Sequence, residues 1–267
     1  MPALQMSLQL YSLRHLLEQD EETALANVAG LGLRTVEVFD FVRRADALAA
    51  ALEHANLSAR TGHARFLTPG PDTDADAVLE ATCSAAQVLG LETVFDPFVA
   101  PARWTAKEDV AATAELLNAA AEAAAPYGLA VGYHNHSQEF VHDVEGTSAF
   151  EYFAGLLDPR VKLEIDLYWA SAGGKDPVSL VERLGPQVEA LHVKDGAIID
   201  DPFTSGAPFD PATTRQVAPG QGQVPLDAAL RAARHARYAV IEFDHYDGDV
   251  LEGIGAGVRY LNEKGIS

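Results

Sequence analysis

The chain has 267 residues, of which 19 are Lys or Arg and 39 are Asp or Glu, so its formal net charge at pH 7 is −20. Hydrophobic residues make up 48% of the sequence, which is ordinary for a globular protein and excludes a disordered chain. The acidic excess argues against nucleic acid and against an anionic membrane surface as partners, because clusters of Lys and Arg bind both.

Short apolar runs typical of strands alternate with longer Ala- and Leu-rich runs typical of helices along the whole chain. The predicted strands are Ala3–Leu10, Thr35–Phe39, Leu57–Gly62, Thr93–Asp96, Leu129–His134, Val161–Asp166, Val188–Val193 and Tyr238–Phe243. The predicted helices are Glu21–Ala29, Ala45–His54, Asp72–Leu89, Ala106–Tyr127, Thr147–Leu157, Pro177–Leu184, Leu226–Ala236 and Asp249–Asn262.

Glycines and a capping residue mark several helix ends. Gly30, Gly90 and Gly128 each follow a helical run, where a left-handed residue closes the last turn. Asp176 before Pro177 is typical of an N-cap followed by a first-turn proline.

Eight strand–helix units of about 33 residues each have the size of βαβ steps. Alternation of this kind favours a parallel sheet, and eight units favour a (β/α)8 TIM barrel that forms a single domain over residues 1–267. The longest irregular stretch, Asp195–Gln223, is rich in Gly, Pro and Asp, and its length favours a functional lid.

The compartment is predicted from what the sequence lacks. Cys83 is the only cysteine, so no intrachain disulfide can form, and its Ala-rich helical surroundings favour a small buried residue. The segment Met1–Leu10 does not have the pattern of a signal peptide, and no apolar run reaches the roughly 18 residues that a membrane helix needs. We expect a soluble cytoplasmic protein.

Polar side chains gather where the predicted strands end, which is where active residues lie in a barrel. One such residue is more often a cap or a solvated group, but His and carboxylates from five or more strands together indicate a divalent-metal site. The residues at these ends are Gln9, Glu37, His63, Asp96, His134, His136, Glu139, Glu164, Asp166, His192, Lys194, Asp195, Glu242, Asp244 and His245.

The period of two along a strand selects the residues that point to the barrel axis together. The pairs that share a face are His134 with His136, Glu164 with Asp166, His192 with Lys194, and Glu242 with Asp244.

Short motifs spread over essentially the whole chain carry a family resemblance. They are Leu8–Arg14 (LQLYSLR), Val36–Val38 (VEV), Gly132–His136 (GYHNH) with Glu139–Phe140, Glu164–Trp169 (EIDLYW), Leu191–Asp195 (LHVKD), Gly220–Gly222 (GQG) and Val240–Glu242 (VIE). In this order and spacing the chain resembles the sugar phosphate isomerase/epimerase superfamily, the xylose isomerase-like barrels that also include endonuclease IV.

The resemblance implies a divalent metal, often manganese, held by a Glu on strand five, an Asp on six, a His on seven and a Glu on eight. Asp166, His192 and Glu242 match the last three positions. Strand five departs from the pattern, because His134 stands where many members have the Glu. Either His134 takes over as ligand, which is our prediction, or Glu139 reaches in from the following loop. Zinc, magnesium, cobalt and iron are the alternatives to manganese.

The chemistry of such a site follows from a metal that polarises a ketone oxygen and stabilises an enediolate. A base then removes the adjacent proton and an acid returns it elsewhere. The predicted catalytic residues are Glu242, His136, Glu139 and Lys194. The residues predicted to bind the substrate are Gln9, Glu37, His63, Trp169 and His245.

We therefore predict a metal-dependent isomerase or epimerase of a small sugar, keto-sugar or cyclitol. One alternative is a lyase or dehydratase of an inosose or 3-keto-sugar, since the stretch Tyr133–His136 resembles the inosose dehydratase-like and 3-keto-sugar-processing branches. The others are a non-catalytic sugar-binding barrel and an endonuclease IV-like repair enzyme. The net charge argues against the nuclease, as does Trp169 at a position where many members have a His ligand. The sequence leaves assembly open, although family members are commonly dimers or tetramers.

Overall fold

Eight parallel strands form a barrel in the computed structural model, which describes residues 4–70 and 72–267. Each strand pairs with its neighbour in chain order, and β8 pairs with β1. A parallel bridge between Gln9 and Glu37 joins β1 to β2 and closes the ring. The strands are β1 Gln5–Leu8, β2 Thr35–Phe39, β3 Ser58–His63, β4 Thr93–Asp96, β5 Ala130–His134, β6 Lys162–Asp166, β7 Val188–Val193 and β8 Tyr238–Ile241.

The predicted (β/α)8 barrel is thus confirmed, with helices packed around the strands. The helices in the described part of the chain are α1 Arg14–Gln19, α2 Glu21–Gly30, α3 Ala45–His54, α4 Ala75–Leu89, α5 Lys107–Ala124, α6 Ala149–Gly155, α7 Leu167–Ala172, α8 Pro177–Leu184, α9 Leu226–Ala232 and α10 Val250–Glu263.

Side chains inside the barrel are separate from the main core between strands and helices. Phe95, Ala190, Tyr238 and Val240 form a small buried apolar cluster of their own. Gly132 on β5 makes room for this cluster, because a Cβ there would lie 2.6 Å from the Phe95 ring. The cluster fills the barrel interior below the polar side chains at the carboxyl ends of the strands.

Several predicted boundaries differ from the observed ones. Ala3 lies outside the described residues, and β8 ends at Ile241, one residue before Glu242. Gly90 and Gly128 are left-handed as predicted, but the prediction for Gly30 is wrong, because it is the last residue of α2 and Gly32 takes the positive φ instead.

The segment between β7 and α9 has little regular structure. Asp195–Gly196 pairs with Gln216–Val217 in a two-residue antiparallel ladder, and Pro211–Thr214 forms a 3-10 turn. The glycine turn within it wraps the Asp195 carboxylate, which accepts hydrogen bonds from the backbone N–H groups of Gly196, Gly220, Gly222 and Val224. Among the described residues, no helix has the length and apolar character required to span a membrane.

Candidate metal and catalytic site

Four side chains from consecutive strands meet at the carboxyl end of the barrel. His134 ends β5, Asp166 ends β6, His192 lies on β7 and Glu242 follows β8, and all four are buried. His192 Nδ1 lies 2.6 Å from Glu242 Oε2 and 3.9 Å from Asp166 Oδ2, which is also 3.9 Å from His134 Nε2. We call these four residues the upper ligand set, and they are the four that the sequence predicted as metal ligands.

A second layer of polar groups lies below the upper ligand set. Glu164 Oε2 is 2.6 Å from His63 Nε2, 3.0 Å from His134 Nδ1 and 3.1 Å from His192 Nε2. Glu37 Oε1 lies 2.7 Å from His192 Nε2 and accepts a hydrogen bond of 2.8 Å from Gln9. We call Glu37 and Glu164 the lower carboxylates.

The lower carboxylates determine which imidazole nitrogens are free. They face Nδ1 of His134 and Nε2 of His192, so the ring protons belong on these two atoms. The opposite nitrogen of His134, Nε2, then faces the upper ligand set with a free lone pair. Nδ1 of His192 lies 2.6 Å from Glu242 Oε2 and carries a proton in the metal-free protein, which a metal ion would displace. This is the usual arrangement of metal-binding histidines, in which a carboxylate holds the ring through its other nitrogen.

Lys194 places a cation beside the upper ligand set. Its Nζ is 3.0 Å from Asp166 Oδ2 and 2.8 Å from Glu242 Oε2, and it donates hydrogen bonds to both oxygens of Asp244 at 3.0 and 3.1 Å. Gln216 in turn holds Asp244, donating to Oδ2 and accepting from its backbone N–H. The side chain of Lys194 is 1% exposed, so its charge is balanced by carboxylates and hardly by water.

Unsatisfied oxygens test whether the residues fit a metal ion. Asp166 Oδ1 caps α7 by accepting from the Trp169 N–H, while Asp166 Oδ2 is buried and accepts no hydrogen bond despite its nearness to Lys194. Lys194 balances the charge of this oxygen, but no hydrogen-bond donor occupies its lone pairs, so they are open to a metal ion. Imidazole and carboxylate donors suit a divalent ion such as zinc, manganese, iron or cobalt. The upper ligand set therefore fits a divalent metal.

Burial and neighbouring charges shift the pKa values of these groups in opposite directions. Burial, reinforced by His192, lowers the pKa of His134 to about 3, so its imidazole is neutral. Burial raises the pKa of Asp166 to about 6. Burial acts in the same direction on Glu242, but Lys194 and His192 outweigh it and hold the pKa of that carboxyl well below its usual range. Histidine binds metals as a neutral imidazole and glutamate binds them as a carboxylate, so His134 and Glu242 are in the forms that bind a metal ion.

His136 has a free nitrogen at the edge of the same site. Burial, together with His134 and Lys194, lowers the pKa of His136 well below its usual range, so the ring is neutral. Its Nδ1 is buried without a hydrogen-bond partner. The ring lies against Phe98 and Phe203, at centroid distances of 5.8 and 5.0 Å.

Glu139 points away from the upper ligand set, although the sequence offered it as an alternative ligand. It lies in a 3-10 turn, accepts a hydrogen bond of 2.7 Å from the Tyr133 hydroxyl and another of 3.0 Å from the His136 N–H. Burial raises its pKa to about 8, against the effect of these hydrogen bonds.

Replacing Glu139 by Gln is expected to flatten the pH dependence of folding stability. Between about pH 4.5 and 8 the folded chain keeps the Glu139 proton and the unfolded chain releases it, so the free energy of unfolding falls as pH rises. The slope is at most about 1.4 kcal/mol per pH unit. Urea unfolding of both proteins across this range measures the difference, with Glu122→Gln on the exposed surface as control. Parallel curves for wild type and Glu139→Gln would show that Glu139 is ionised in the folded protein.

A cavity of about 630 Å³ opens over the upper ligand set. His63, His134, Lys194 and Glu242 line its polar floor. The floor therefore offers imidazole, ammonium and carboxylate groups side by side to a bound molecule.

The other residues predicted to bind the substrate do not line this cavity. Gln9 and Glu37 are fully buried beneath the floor. Trp169 is fully buried and does not line the cavity, and His245 lies outside the cavity, 3.1 Å from Asp247. Glu164, which the sequence placed among the strand-end candidates without a specific role, lies in the site, and so does Gln216, which was not predicted. The period of two that pairs Glu164 with Asp166 was the available signal for Glu164, whereas Gln216 carried none.

The fold and this site define a class of protein: a (β/α)8 barrel with a histidine–carboxylate centre at the carboxyl ends of its strands. The chain belongs to the xylose isomerase-like TIM barrel family, whose model matches residues 25–264. No curated protein matches the chain significantly.

Solved structures share the fold over almost the full length. A sugar phosphate isomerase/epimerase from Parabacteroides distasonis has 23% identity and a TM-score of 0.78, covering 98% of this chain and 96% of its own. The probable 3-DHS dehydratase AsbF from Bacillus anthracis has 15% identity and a TM-score of 0.72, covering 97% and 99%. The IolI protein, solved with a bound zinc atom, has 17% identity and a TM-score of 0.71, covering 97% of both chains. At these identities the similarity shows the fold.

Proposed function

We propose that the protein is a divalent-metal-dependent isomerase or epimerase that acts on a sugar, keto-sugar or cyclitol through an enediolate. The observation that carries this proposal is the convergence of four ligand side chains beneath a cavity that two of them, His134 and Glu242, line. Asp166 Oδ2 is among their ligand atoms and accepts no hydrogen bond. Manganese is our first candidate for the ion, and zinc, magnesium, cobalt and iron are the alternatives.

The residues around the ion have distinct roles in this proposal. The upper ligand set would hold a divalent ion, which would supply Lewis acidity toward a substrate carbonyl when bound. Lys194 places its positive charge where negative charge develops on the substrate oxygen. His136, a neutral imidazole that lines the cavity, accepts the proton from the adjacent carbon, and Glu242, which also lines the cavity, is the second proton-transfer group. Glu139 stays a predicted catalytic residue, although it does not line the cavity and contacts His136 only at the main-chain N–H.

Dehydration is the second candidate reaction, and one observation favours it. His134 stands at the strand-five position and binds Glu164 through Nδ1, so the upper ligand set contains no strand-five carboxylate. A symmetric exchange of protons between two glutamates is therefore not built into the site. One base that removes a proton and one acid that expels a β-hydroxyl, such as His136 and Lys194, suffice for dehydration.

The proposal predicts near-stoichiometric metal in the purified protein after incubation with manganese. Glu242→Gln and His192→Ala are expected to lose the ion and keep the fold, because each removes one ligand of the upper set. Elemental analysis and circular dichroism check both points. Glu252→Gln and His235→Ala, the same substitutions at exposed positions, serve as controls.

A screen of keto-sugars and inososes in deuterated water then tests the chemistry. Proton NMR is expected to show exchange of the hydrogen next to the carbonyl, and loss of this exchange in Glu242→Gln. Metal retention in both ligand variants contradicts the site. Absence of metal from the wild type favours a non-catalytic sugar-binding barrel instead.

A further inference from the structure

The upper wall of the cavity is apolar, in contrast to its polar floor. Six side chains from four parts of the chain form it: the end of β2 and its loop, α4, the loop after β4, and the segment between β7 and α9. All six are half-buried, so each keeps part of its apolar surface toward the cavity. We call them the apolar wall: Phe39, Val42, Val78, Phe98, Phe203 and Phe209.

The aromatic part of this wall is held in place by buried rings behind it. Phe203 lies 4.9 Å from Phe209 and 6.2 Å from Phe98, measured between ring centroids. Trp169, which is fully buried, contacts Phe203 and Phe209 at 5.0 and 5.6 Å. The rings are therefore packed as a surface, although the segment that carries two of them has little regular structure.

Charge at the wall excludes a phosphate group as its ligand. Besides Lys194 and Glu242 at the floor, the charged residues that line the cavity in the described part of the chain are one cation, Arg65, and two carboxylates, Asp40 and Asp244. The Arg65 guanidinium stacks on the Phe98 ring at 4.9 Å. Lys194 is already surrounded by three carboxylates. A phosphate needs several free donors or cations, and this wall does not provide them.

The size of the cavity leaves room beyond one sugar ring. Its volume of about 630 Å³ lies in the range of about 300–1,000 Å³ that holds drug-sized ligands. A ring bound at the polar floor would leave the apolar wall facing empty space or water. Half-buried apolar surface that lines a cavity in this way marks a binding surface for an apolar group.

We infer that the substrate is a sugar or cyclitol bearing an uncharged aromatic substituent, which packs against the apolar wall while the sugar ring lies on the polar floor. The inference rests on the proposed function, because it takes the floor as the place of reaction. An aromatic substituent fits because four of the six wall residues are phenylalanines whose half-buried rings line the cavity, where a bound ring can contact them edge to face.

Binding of two simple glycosides tests the substituent. Isothermal titration calorimetry is expected to give a dissociation constant for phenyl β-D-glucopyranoside about tenfold lower than for methyl β-D-glucopyranoside, a difference of about 1.4 kcal/mol. Equal affinities, or no binding of the phenyl glycoside, would overturn the inference.

Substitutions in the apolar wall, with a control on the same helix α4, then locate the substituent. Val78→Asp is expected to abolish the preference for the phenyl glycoside, whereas Val88→Asp, on the same helix at a 48% exposed position outside the cavity, should retain it. Phe98→Leu provides a second variant that removes only the ring. A phenyl preference that persists in Val78→Asp and Phe98→Leu would overturn the placement.

The two proposals fail separately. If the wild type takes up no metal after incubation with manganese and still prefers the phenyl glycoside, the metal enzyme is contradicted and the apolar subsite is supported. Metal-loaded protein that exchanges protons on small keto-sugars, yet binds both glycosides equally, would contradict the subsite alone.

Discussion

Replacement of Lys194 by Met is expected to destabilise the metal-free protein by about 3–5 kcal/mol, the usual cost of removing one partner from a buried charge network. Lys194 Nζ lies within 3.1 Å of Asp166, Glu242 and Asp244, and its side chain is 1% exposed. Without the ammonium, these three carboxylates remain buried and repel one another. Urea unfolding in the presence of a chelator measures this loss.

A divalent ion is expected to restore much of the stability of Lys194→Met. The ion and the ammonium face the same two oxygens, Asp166 Oδ2 and Glu242 Oε2, so each reduces the benefit of the other. Metal should therefore stabilise Lys194→Met more than it stabilises the wild type. Lys107→Met, which removes an exposed ion pair with Glu145, should change stability by less than about 1 kcal/mol. Equal metal stabilisation of the wild type and Lys194→Met would show that the ion lies elsewhere.

The barrel itself was accessible from the sequence because its signals are local. Each strand is a short apolar run, and helix ends carry residues such as Asp176, whose side chain accepts hydrogen bonds from Val178 and Ser179 as the cap prediction requires. The short helix α7 was missed, because it follows β6 without a break and Asp166 serves both as strand end and as cap.

The candidate site was accessible only in part, for reasons of distance along the chain. Asp166, His192 and Glu242 follow from the ends of predicted strands and from the family resemblance. Glu164 binds His63 across 101 positions and Glu37 binds His192 across 155, and no local pattern reports such pairs. The choice between His134 and Glu139 depended on near neighbours instead. The Tyr133 hydroxyl and the His136 N–H hold Glu139 in its turn, and residue type alone does not reveal these two contacts.

Replacement of Glu164 by Gln is expected to weaken metal binding about 10–100-fold at pH 8, the usual effect of losing a carboxylate that orients metal-binding histidines. Glu164 Oε2 contacts ring nitrogens of His63, His134 and His192 within 3.1 Å. The neutral amide holds the rings less firmly and presents donors where only an acceptor fits. Titration calorimetry with manganese measures the affinity. Glu189→Gln is the control, because Glu189 lies on the neighbouring strand, β7, and pairs with Arg237 away from the site.

The pH dependence of metal binding separates this orienting role from a merely structural one. Burial lowers the pKa of His192, but the Glu164, Glu242 and Glu37 carboxylates outweigh it and hold that pKa well above its usual range. Protons therefore compete with the metal for His192 as pH falls. Removal of the Glu164 charge lowers the pKa of His192, so the acid limit of metal binding should move to lower pH even as the affinity at pH 8 decreases. A variant that only loosens the fold would lose affinity at every pH and leave this limit unchanged, and that result would assign Glu164 to packing alone.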